Sequence, residues 1–467
     1  MIYPRLFCRY ILVCLAYLRF TTWAFQTNSQ LKPLSKLKVS KSSSLTMTAE
    51  PKKKVVVTGL GIMSGNGHNI NDFWESCLDG KSSLHRIEKF DLTGVECQIG
   101  SEVKDFKAGD YFTNKKSVRS NDRYTHFAVA ASRLALEDAG LDPSTLADPS
   151  MFGVMIGSAF GGVETFEEQT LKLHNKGPSK VSPFTIPALL GNTASGIVGI
   201  EVGAKGPNFG LVSACASATH CLGEAMQAIQ EGEADIMLAG GSEATITPLT
   251  YAGFDNMNAM AKLYNDDPTK GSRPFDAERC GFVMAEGAGV LLLESLEHAE
   301  KRGAKVYCEI AGYGASCDAH HITTPDPEGR GLMEALRRAL VSGGIAHEDL
   351  GYINAHGTST AYNDKFETMA IKGLLGEDLA KKIKISSTKS VTGHALGAAG
   401  GYEAAVCVKV LETGDIPPTI NYETPDPECD LDYVPNKKIH VDGLKAAASN
   451  NLGFGGHNGV VTFKSIQ

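Results

Sequence analysis

The chain has 467 residues, of which 42% are hydrophobic and 21% are charged, and it contains 50 glycines. This composition is typical of a globular α/β protein with many tight turns and argues against a disordered or membrane-spanning chain. The 11 cysteines form no C-x-x-C pair and no zinc-like cluster with histidine, so neither a disulfide framework nor a metal site is predicted.

Charge is distributed unevenly between a short basic N-terminal segment and an acidic remainder. Residues 1–49 carry seven basic side chains and no acidic one, which leaves 38 basic against 53 acidic side chains in the rest. An acidic surface is repelled by phosphate backbones, so we expect no nucleic-acid partner.

The first fifty residues have the pattern of a targeting leader. Arg5 and Arg9 precede an apolar run at 11–18 that is too short to span a bilayer but has the length of a signal-peptide core. A stretch rich in Lys, Ser and Thr follows, as in organelle transit peptides. We predict a signal peptide at 1–24 and a transit peptide at 25–50. This bipartite leader resembles those of plastids in secondary algae and predicts a chloroplast (stromal) location without a membrane span in the mature protein; simple secretion is the alternative.

The folded part is predicted to start with a buried strand from Lys54 that runs into a glycine turn at Gly59 and Gly61. This G-x-G lacks the third glycine and the acidic ribose partner of a dinucleotide site, so no such cofactor is expected. A polar, basic segment at 114–123 then leads into a helix from Thr125 to Ala139.

The stretch 208–241 predicts a strand, a sharp turn, a helix and a second strand in one unit. Cys215 lies at the turn, before the helix. Free N–H groups and the positive dipole end of a helix favour a thiolate there and could hold an oxyanion on an attached thioester. The alternative is a small buried thiol that only packs the turn.

The second half of the chain repeats the order of the first. A helix at 331–343, a strand at 351–355 and a turn from His356 follow the pattern of the first half, and a strand at 383–388, a loop ending at His394 and a helix at 396–411 echo the Cys215 unit. Duplicated β/α halves bring equivalent turns together at the carboxyl ends of strands. We therefore expect one pocket that combines a nucleophilic thiolate with two neutral imidazoles, which suits a thioester carbonyl that becomes an enolate.

Six motifs make the resemblance to a known family specific. They are VSACASA, SRPFDAERCGFVMAEGAGV, NAHGTST, SSTKSVTGHALGAAGGYEA, PPTIN and SNNLGFGGHNG. From about Lys54 to Lys464 the chain resembles the elongating β-ketoacyl-acyl carrier protein synthases with a Cys-His-His site, closest to type II. The resemblance implies a thiolase-like α/β fold of two pseudo-symmetric βαβαβ halves in α-β-α-β-α layers, at 51–304 and 305–467.

The resemblance also implies roles for individual residues. Cys215 would carry the acyl chain while His356 and His394 hold the malonyl thioester oxygen. The other implied roles are a charged pair supporting His394 (Lys389, Glu403), acids behind the histidine turn (Asp364, Glu367), pantetheine contacts (Thr358, Thr360), an acyl-pocket wall (Phe160), a gate whose N–H joins that of Cys215 in an oxyanion hole (Phe454) and carrier docking (Lys116, Arg119). Lys115, in the same basic segment, is a further docking candidate.

The implied activity is that of a 3-oxoacyl-[acyl-carrier-protein] synthase. It joins a Cys215-bound acyl chain to malonyl-carrier by decarboxylative Claisen condensation, lengthening a fatty acid by two carbons and releasing CO2. Acyl groups arrive on the phosphopantetheine of acyl carrier protein, so no separate cofactor is expected, and the assembly is expected to be a homodimer. The alternatives are a non-catalytic chain-length partner subunit and a polyketide-type ketosynthase.

Overall fold

The computed structural model describes residues 52–466, so the predicted leader at 1–50 lies outside the described residues. The strands are β1 (Val55–Ser64), β2 (His85–Arg86), β3 (Ile99–Gly100), β4 (Phe152–Gly157), β5 (Asn208–Phe209), β6 (Ile236–Glu243), β7 (Gly287–Ser295), β8 (Cys308–Cys317), β9 (Leu350–Asn354), β10 (Lys384–Ser386), β11 (Asp415–Ile416), β12 (Ile439–His440), β13 (Ala446–Gly453) and β14 (His457–Lys464). The α-helices are α1 (Ile70–Leu78), α2 (Arg123–Asp138), α3 (Val163–Lys176), α4 (Thr185–Leu189), α5 (Thr193–Val202), α6 (Ser217–Gln230), α7 (Pro248–Asn256), α8 (Leu296–Lys301), α9 (Arg330–Gly343), α10 (Ala361–Leu375), α11 (Glu377–Ala380), α12 (Lys389–Thr392) and α13 (Ala399–Thr413).

The two halves of the chain have the same strand order. The ten-stranded mixed sheet runs β5-β4-β6-β7-β1 through the first half and β10-β9-β13-β14-β8 through the second, counted inward from each edge. In both halves the outer pairs are parallel and the inner pairs are antiparallel. The halves join where Val56 and Val57 pair with Glu309 and Cys308. The predicted duplication and thiolase-like fold are therefore confirmed.

Helices occupy equivalent positions in the two halves. Helix α2 packs on β1 and β7, and α9 packs on β8 and β14. Helices α6 and α13 contact each other, and each also packs on a strand of the opposite half. A Cβ at Gly400 would lie 2.2 Å from Thr219 Oγ1, so the small residues of α13 permit this close approach.

The glycine turn predicted near the start of the fold is wrong. Strand β1 continues through Gly59 and Gly61 to Ser64 and is buried throughout. A Cβ at Gly61 would lie 1.8 Å from Ala131 O, and one at Gly59 would lie 2.1 Å from Ala135 O. Both glycines are needed because the backbone of α2 lies directly on this strand.

The carboxyl ends of β4, β6, β9 and β10 lead into the segments that form the site described below. Within residues 52–466, no helix combines the length and apolar character that crossing a membrane requires.

Candidate active site

Cys215 lies in a strained turn, two residues before α6 begins at Ser217. The preceding residue, Ala214, has a φ of +51°, which is uncommon for a residue with a side chain. The Ser217 hydroxyl holds this turn, since it donates to Ala214 O (2.7 Å) and accepts from Ser213 N (2.9 Å). The first turn of α6 thus shapes the backbone that presents the cysteine.

His356 follows β9 and is held through its backbone by a buried carboxylate of α10. Glu367 accepts from the N–H groups of His356 and Gly357, both at 2.8 Å. Asp364, one turn earlier on α10, accepts from Ser359 N at 3.2 Å and from Phe275 N at 2.8 Å. The two acids predicted behind the histidine turn therefore order its backbone.

A buried ion pair stands beside the same histidine. Lys389 of α12 pairs with Glu403 of α13, and both side chains are almost fully buried. Lys389 Nζ lies 3.4 Å from His356 Nδ1, so its side-chain contact is with His356 rather than with His394 as the resemblance implied. Because an ammonium can only donate, this contact favours the His356 tautomer with its proton on Nε2.

The cysteine and the two histidines meet in one cluster. Cys215 Sγ lies 3.1 Å from His394 Nε2, and the two imidazole rings are 5.3 Å apart and nearly perpendicular. Their donor atoms all lie within 4.8 Å of one another, a spacing that a metal ion could also use. The positive charge of the nearby Lys389 ammonium would repel a metal ion at this position. We therefore keep the prediction of a cysteine nucleophile with two imidazoles.

The protonation states follow from burial. Burial and the Lys389 charge hold the pKa of both His356 and His394 well below the usual range, so both rings are neutral. Burial also raises the pKa of the Cys215 thiol to about 12, against the opposing effect of Lys389. The predicted resting thiolate is therefore wrong: desolvation outweighs the helix N-terminus, and the thiol keeps its proton beside His394 Nε2.

A cavity of about 610 Å³ opens onto this cluster. Its lining includes the predicted residues Cys215, His356, His394, Thr358, Thr360, Phe160 and Phe454. The hydroxyls of Thr358 and Thr360 lie 2.9 Å apart. This size is in the range of pockets that enclose a small ligand or an acyl chain.

Aromatic rings connect the cavity wall to the gate position and to a histidine. Phe254 lies 6.0 Å from Phe160 and 6.4 Å from Phe454 between ring centroids, and Phe282 links it to His394. Next to the gate, a Cβ at Gly453 would lie 3.2 Å from Cys215 N. The end of β13 therefore lies against the nucleophile turn, as an oxyanion hole shared by Cys215 and Phe454 requires.

The three basic residues predicted to dock a carrier do not line this cavity. Lys115, Lys116 and Arg119 are exposed on a short 3-10 helix at Lys115–Ser120. None of them forms an ion pair with a residue in the range 52–466.

Two groups near the site were missed from the sequence. Glu243, at the end of β6, is fully buried and accepts hydrogen bonds from the backbone of two loops, at Ala159 N and Gly397 N. Asp318, Thr323 and Thr324 line the cavity beside the gate loop. An acidic residue at the carboxyl end of a predicted strand was the available signal for Glu243, whereas only the fold brings the second group to the cavity.

The duplicated fold, the half-buried cysteine and its two neutral histidines define an acyl-transferring condensing enzyme. Residues 52–299 match the family description "Beta-ketoacyl synthase, N-terminal domain", and residues 307–423 match "Beta-ketoacyl synthase, C-terminal domain". The chain belongs to the beta-ketoacyl synthase family.

Similar proteins agree with this assignment. A 3-oxoacyl-[acyl-carrier-protein] synthase 2 of Synechocystis is 49% identical over 89% of this chain and 99% of its own length, and one of Staphylococcus aureus is 47% identical over the same shares. Among solved structures, a type II polyketide ketosynthase in complex with its acyl-carrier protein has a TM-score of 0.83 at 36% identity, covering 90% of this chain and all of its own. A beta-ketoacyl synthase of Burkholderia phymatum has a TM-score of 0.81 at 32% identity, covering 89% of this chain and all of its own.

Proposed function

We propose that this protein is a 3-oxoacyl-[acyl-carrier-protein] synthase that elongates fatty acids by two carbons. The observation that carries the proposal is the cluster of Cys215, His356 and His394 in the lining of one cavity. Family members use a cysteine nucleophile and carrier-bound substrates without a separate cofactor. The bacterial relatives at 47–49% identity favour fatty-acid substrates over the polyketide substrates of the 36% identical ketosynthase.

Acyl transfer to the cysteine is the first step. His394 Nε2, at 3.1 Å, takes the Cys215 proton as Sγ attacks the thioester carbonyl. The N–H groups of Cys215 and Phe454 stabilise the tetrahedral oxyanion. As the intermediate collapses, the carrier thiolate leaves and regains the proton, so that one thioester replaces another.

Condensation follows once the free carrier has left. Proton exchange with solvent then moves the single hydrogen of neutral His394 from Nδ1 to Nε2. The malonyl thioester binds with its carbonyl oxygen facing His356 and His394, each of which now presents an Nε2–H. Loss of CO2 leaves the bond electrons on the α-carbon as an enolate, whose oxygen the two imidazoles stabilise. The carbanion attacks the Cys215 thioester, and the thiolate released from the 3-oxoacyl product takes up one proton from solvent, which restores the neutral thiol and leaves His394 neutral.

The direct test is product identification. The purified protein is incubated with malonyl-carrier and acyl-carriers of graded length, and the products are identified by mass. A 3-oxoacyl-carrier two carbons longer than the primer, with CO2 in equal amount, is expected. Decarboxylation without chain extension, in every primer tested, would favour the non-catalytic partner subunit instead.

The carrier is proposed to dock on the basic group of Lys115, Lys116 and Arg119. These residues are exposed and carry no ion pair among residues 52–466, so their charge is available to an acidic partner. The similar ketosynthase solved with its acyl-carrier protein supports a carrier as partner.

We also propose that two copies form a homodimer across the β5 edge. Strand β5 is an unpaired edge of the sheet, and both of its residues are exposed. Helix α5 contacts β5, α4 contacts α5, and α3 contacts α4. These helices and the residues that cap α4 carry exposed apolar side chains: Phe166, Leu171, Leu173, Phe184, Ile186, Leu190 and Ile200. Such an edge and patch are typical of an interface. Sedimentation should give twice the chain mass, and a stable, active monomer would contradict the dimer.

The leader is proposed to direct the protein to the plastid stroma. The family match begins at residue 52, which leaves the basic residues 1–49 outside it. Residues 1–50 fused to a fluorescent protein should enter the plastid of an alga whose plastid has extra membranes. Residues 1–24 alone should stop in the secretory pathway, and secretion of the longer fusion would overturn the proposal.

A further inference from the structure

Glu243 is a fully buried carboxylate that the proposed chemistry does not use. It accepts hydrogen bonds from Ser158 Oγ (2.8 Å), Ala159 N (2.7 Å), Phe160 N (3.3 Å) and Gly397 N (3.0 Å). Within the described range 52–466, no basic side chain pairs with it. All its partners therefore belong to two loops, and its two side-chain oxygens hold the backbones of those loops together.

The two loops belong to different parts of the site. The first carries Phe160, which lines the cavity and is 43% exposed to solvent. The second is the turn three residues after His394, which enters α13. A Cβ at Gly397 would lie 2.4 Å from Ala159 N and 2.5 Å from Glu243 Oε2, so the two loops are in direct contact at the carboxylate.

We propose that Glu243 is a positioning residue that sets the upper limit of acyl-chain length. By fixing the backbone at Phe160 against the turn after His394, it holds the aromatic ring in the wall of the cavity. This inference rests on the proposed condensing function. Loosening the carboxylate frees the ring to move aside, which favours longer acyl chains over shorter ones.

The variant Glu243→Gln tests this role with little change in volume. One side-chain oxygen becomes an NH2 group, which can only donate. The remaining side-chain oxygen of the glutamine can still accept from Ala159 N and Gly397 N. The new NH2 group then faces Ser158, whose hydroxyl can rotate to accept a hydrogen bond from it. Phe160 N–H is then left facing a donor. We expect the kcat/KM ratio of long to short acyl-carriers to rise about fivefold, the size that one lost hydrogen bond supports.

A double-mutant cycle separates positioning from general loosening. Phe160→Ile alone should raise the same ratio, because it removes the ring. In the double variant, Glu243→Gln should add little, because no ring remains to be held. Fully additive effects of the two substitutions would overturn the proposal.

Glu294→Gln is the matched control. Glu294 is also fully buried, and it lies at the opposite end of the β6–β7 pair, where it contacts Thr58, His298 and Arg302. This variant should lower the unfolding temperature and leave the chain-length ratio at the wild-type value.

A second variant keeps the test decisive if Glu243→Gln does not fold. Ser158→Ala removes one partner of the carboxylate and the acceptor of Gly161 N, and it should raise the ratio in the same direction. If the wild-type protein condenses normally and both variants leave the chain-length ratio unchanged, the role of Glu243 is refuted while the proposed function stands. Wild-type protein that condenses no primer would refute the proposed function instead.

Discussion

His394 Nε2 lies 3.1 Å from Cys215 Sγ, although 179 residues separate the two side chains in the sequence. Both follow strands at equivalent positions of the two halves, β5 and β10, and the helices that come next, α6 and α13, pack against each other. Duplication of one unit therefore supplies a nucleophile from one copy and its proton acceptor from the other.

Removing the nucleophile should separate the two parts of the reaction. Cys215→Ala is expected to lower acyl transfer and condensation below detection, because no thioester can form on the enzyme. Decarboxylation of malonyl-carrier should persist, since His356 and His394 remain. Mass spectrometry of the acylated protein and release of labelled CO2 measure the two steps. Full condensation by the variant would refute the role of Cys215.

Each histidine should matter to the transition state more than to folding. Loss of one enolate donor costs about 2.7–4 kcal/mol, so His356→Ala and His394→Ala should each reduce decarboxylation roughly a hundredfold or more. Thermal unfolding of the variants provides the control. A variant with near-normal turnover would remove that histidine from the site.

The sequence was sufficient to predict which site residues come together, but not the protonation state of the cysteine. Helical and strand periodicity, together with the repeated order of turns, was sufficient to expect that Cys215, His356 and His394 meet, because duplication relates their positions. The state of the thiol depends on desolvation by the whole fold, which no local pattern records. A cysteine near a helix N-terminus therefore predicted a thiolate that burial does not permit.

Two further differences between the sequence-based predictions and the structure also arise from contacts between distant parts of the chain. Gly59 and Gly61 predicted a turn, since glycine is most common there, yet their role is to let α2 lie on β1. Glu243 was missed because its partners are backbone N–H groups from 158–160 and 397, and their side chains give no sign of a carboxylate between them. Contacts between distant backbones remain outside the reach of sequence patterns.

The raised pKa of Cys215 makes a prediction about alkylation. Because the thiol is protonated at neutral pH, its reaction with iodoacetamide should accelerate about tenfold per pH unit over roughly pH 6 to 9. The rate should show no plateau in that range. Peptide mass spectrometry identifies the labelled residue, with Cys215→Ala as the blank. A rate independent of pH below neutrality would instead indicate a preformed thiolate–imidazolium pair.

Phe160 should limit the acyl chain by its volume. The ring lines the cavity, and a side chain of this size excludes several methylenes, each worth roughly 0.8 kcal/mol of burial. Phe160→Ile should therefore extend the longest primer accepted. The products are compared by mass with those of Phe106→Ile, which alters a ring outside the cavity lining. An unchanged product profile would show that the ring does not limit the chain.

Carrier docking should depend on local charge. The chain outside residues 1–49 has 53 acidic against 38 basic side chains, so its overall charge repels an acidic carrier. Reversing Lys116 and Arg119 to Glu should raise the apparent KM for acyl-carrier roughly tenfold and flatten its salt dependence, while a small pantetheine thioester reacts as before. The charge-matched control reverses Lys382 and Lys437, which are exposed and form no ion pair among residues 52–466. If the control raises KM equally, net charge rather than a docking site is responsible. Equal loss with carrier and pantetheine substrates would mean that Lys116 and Arg119 support the fold.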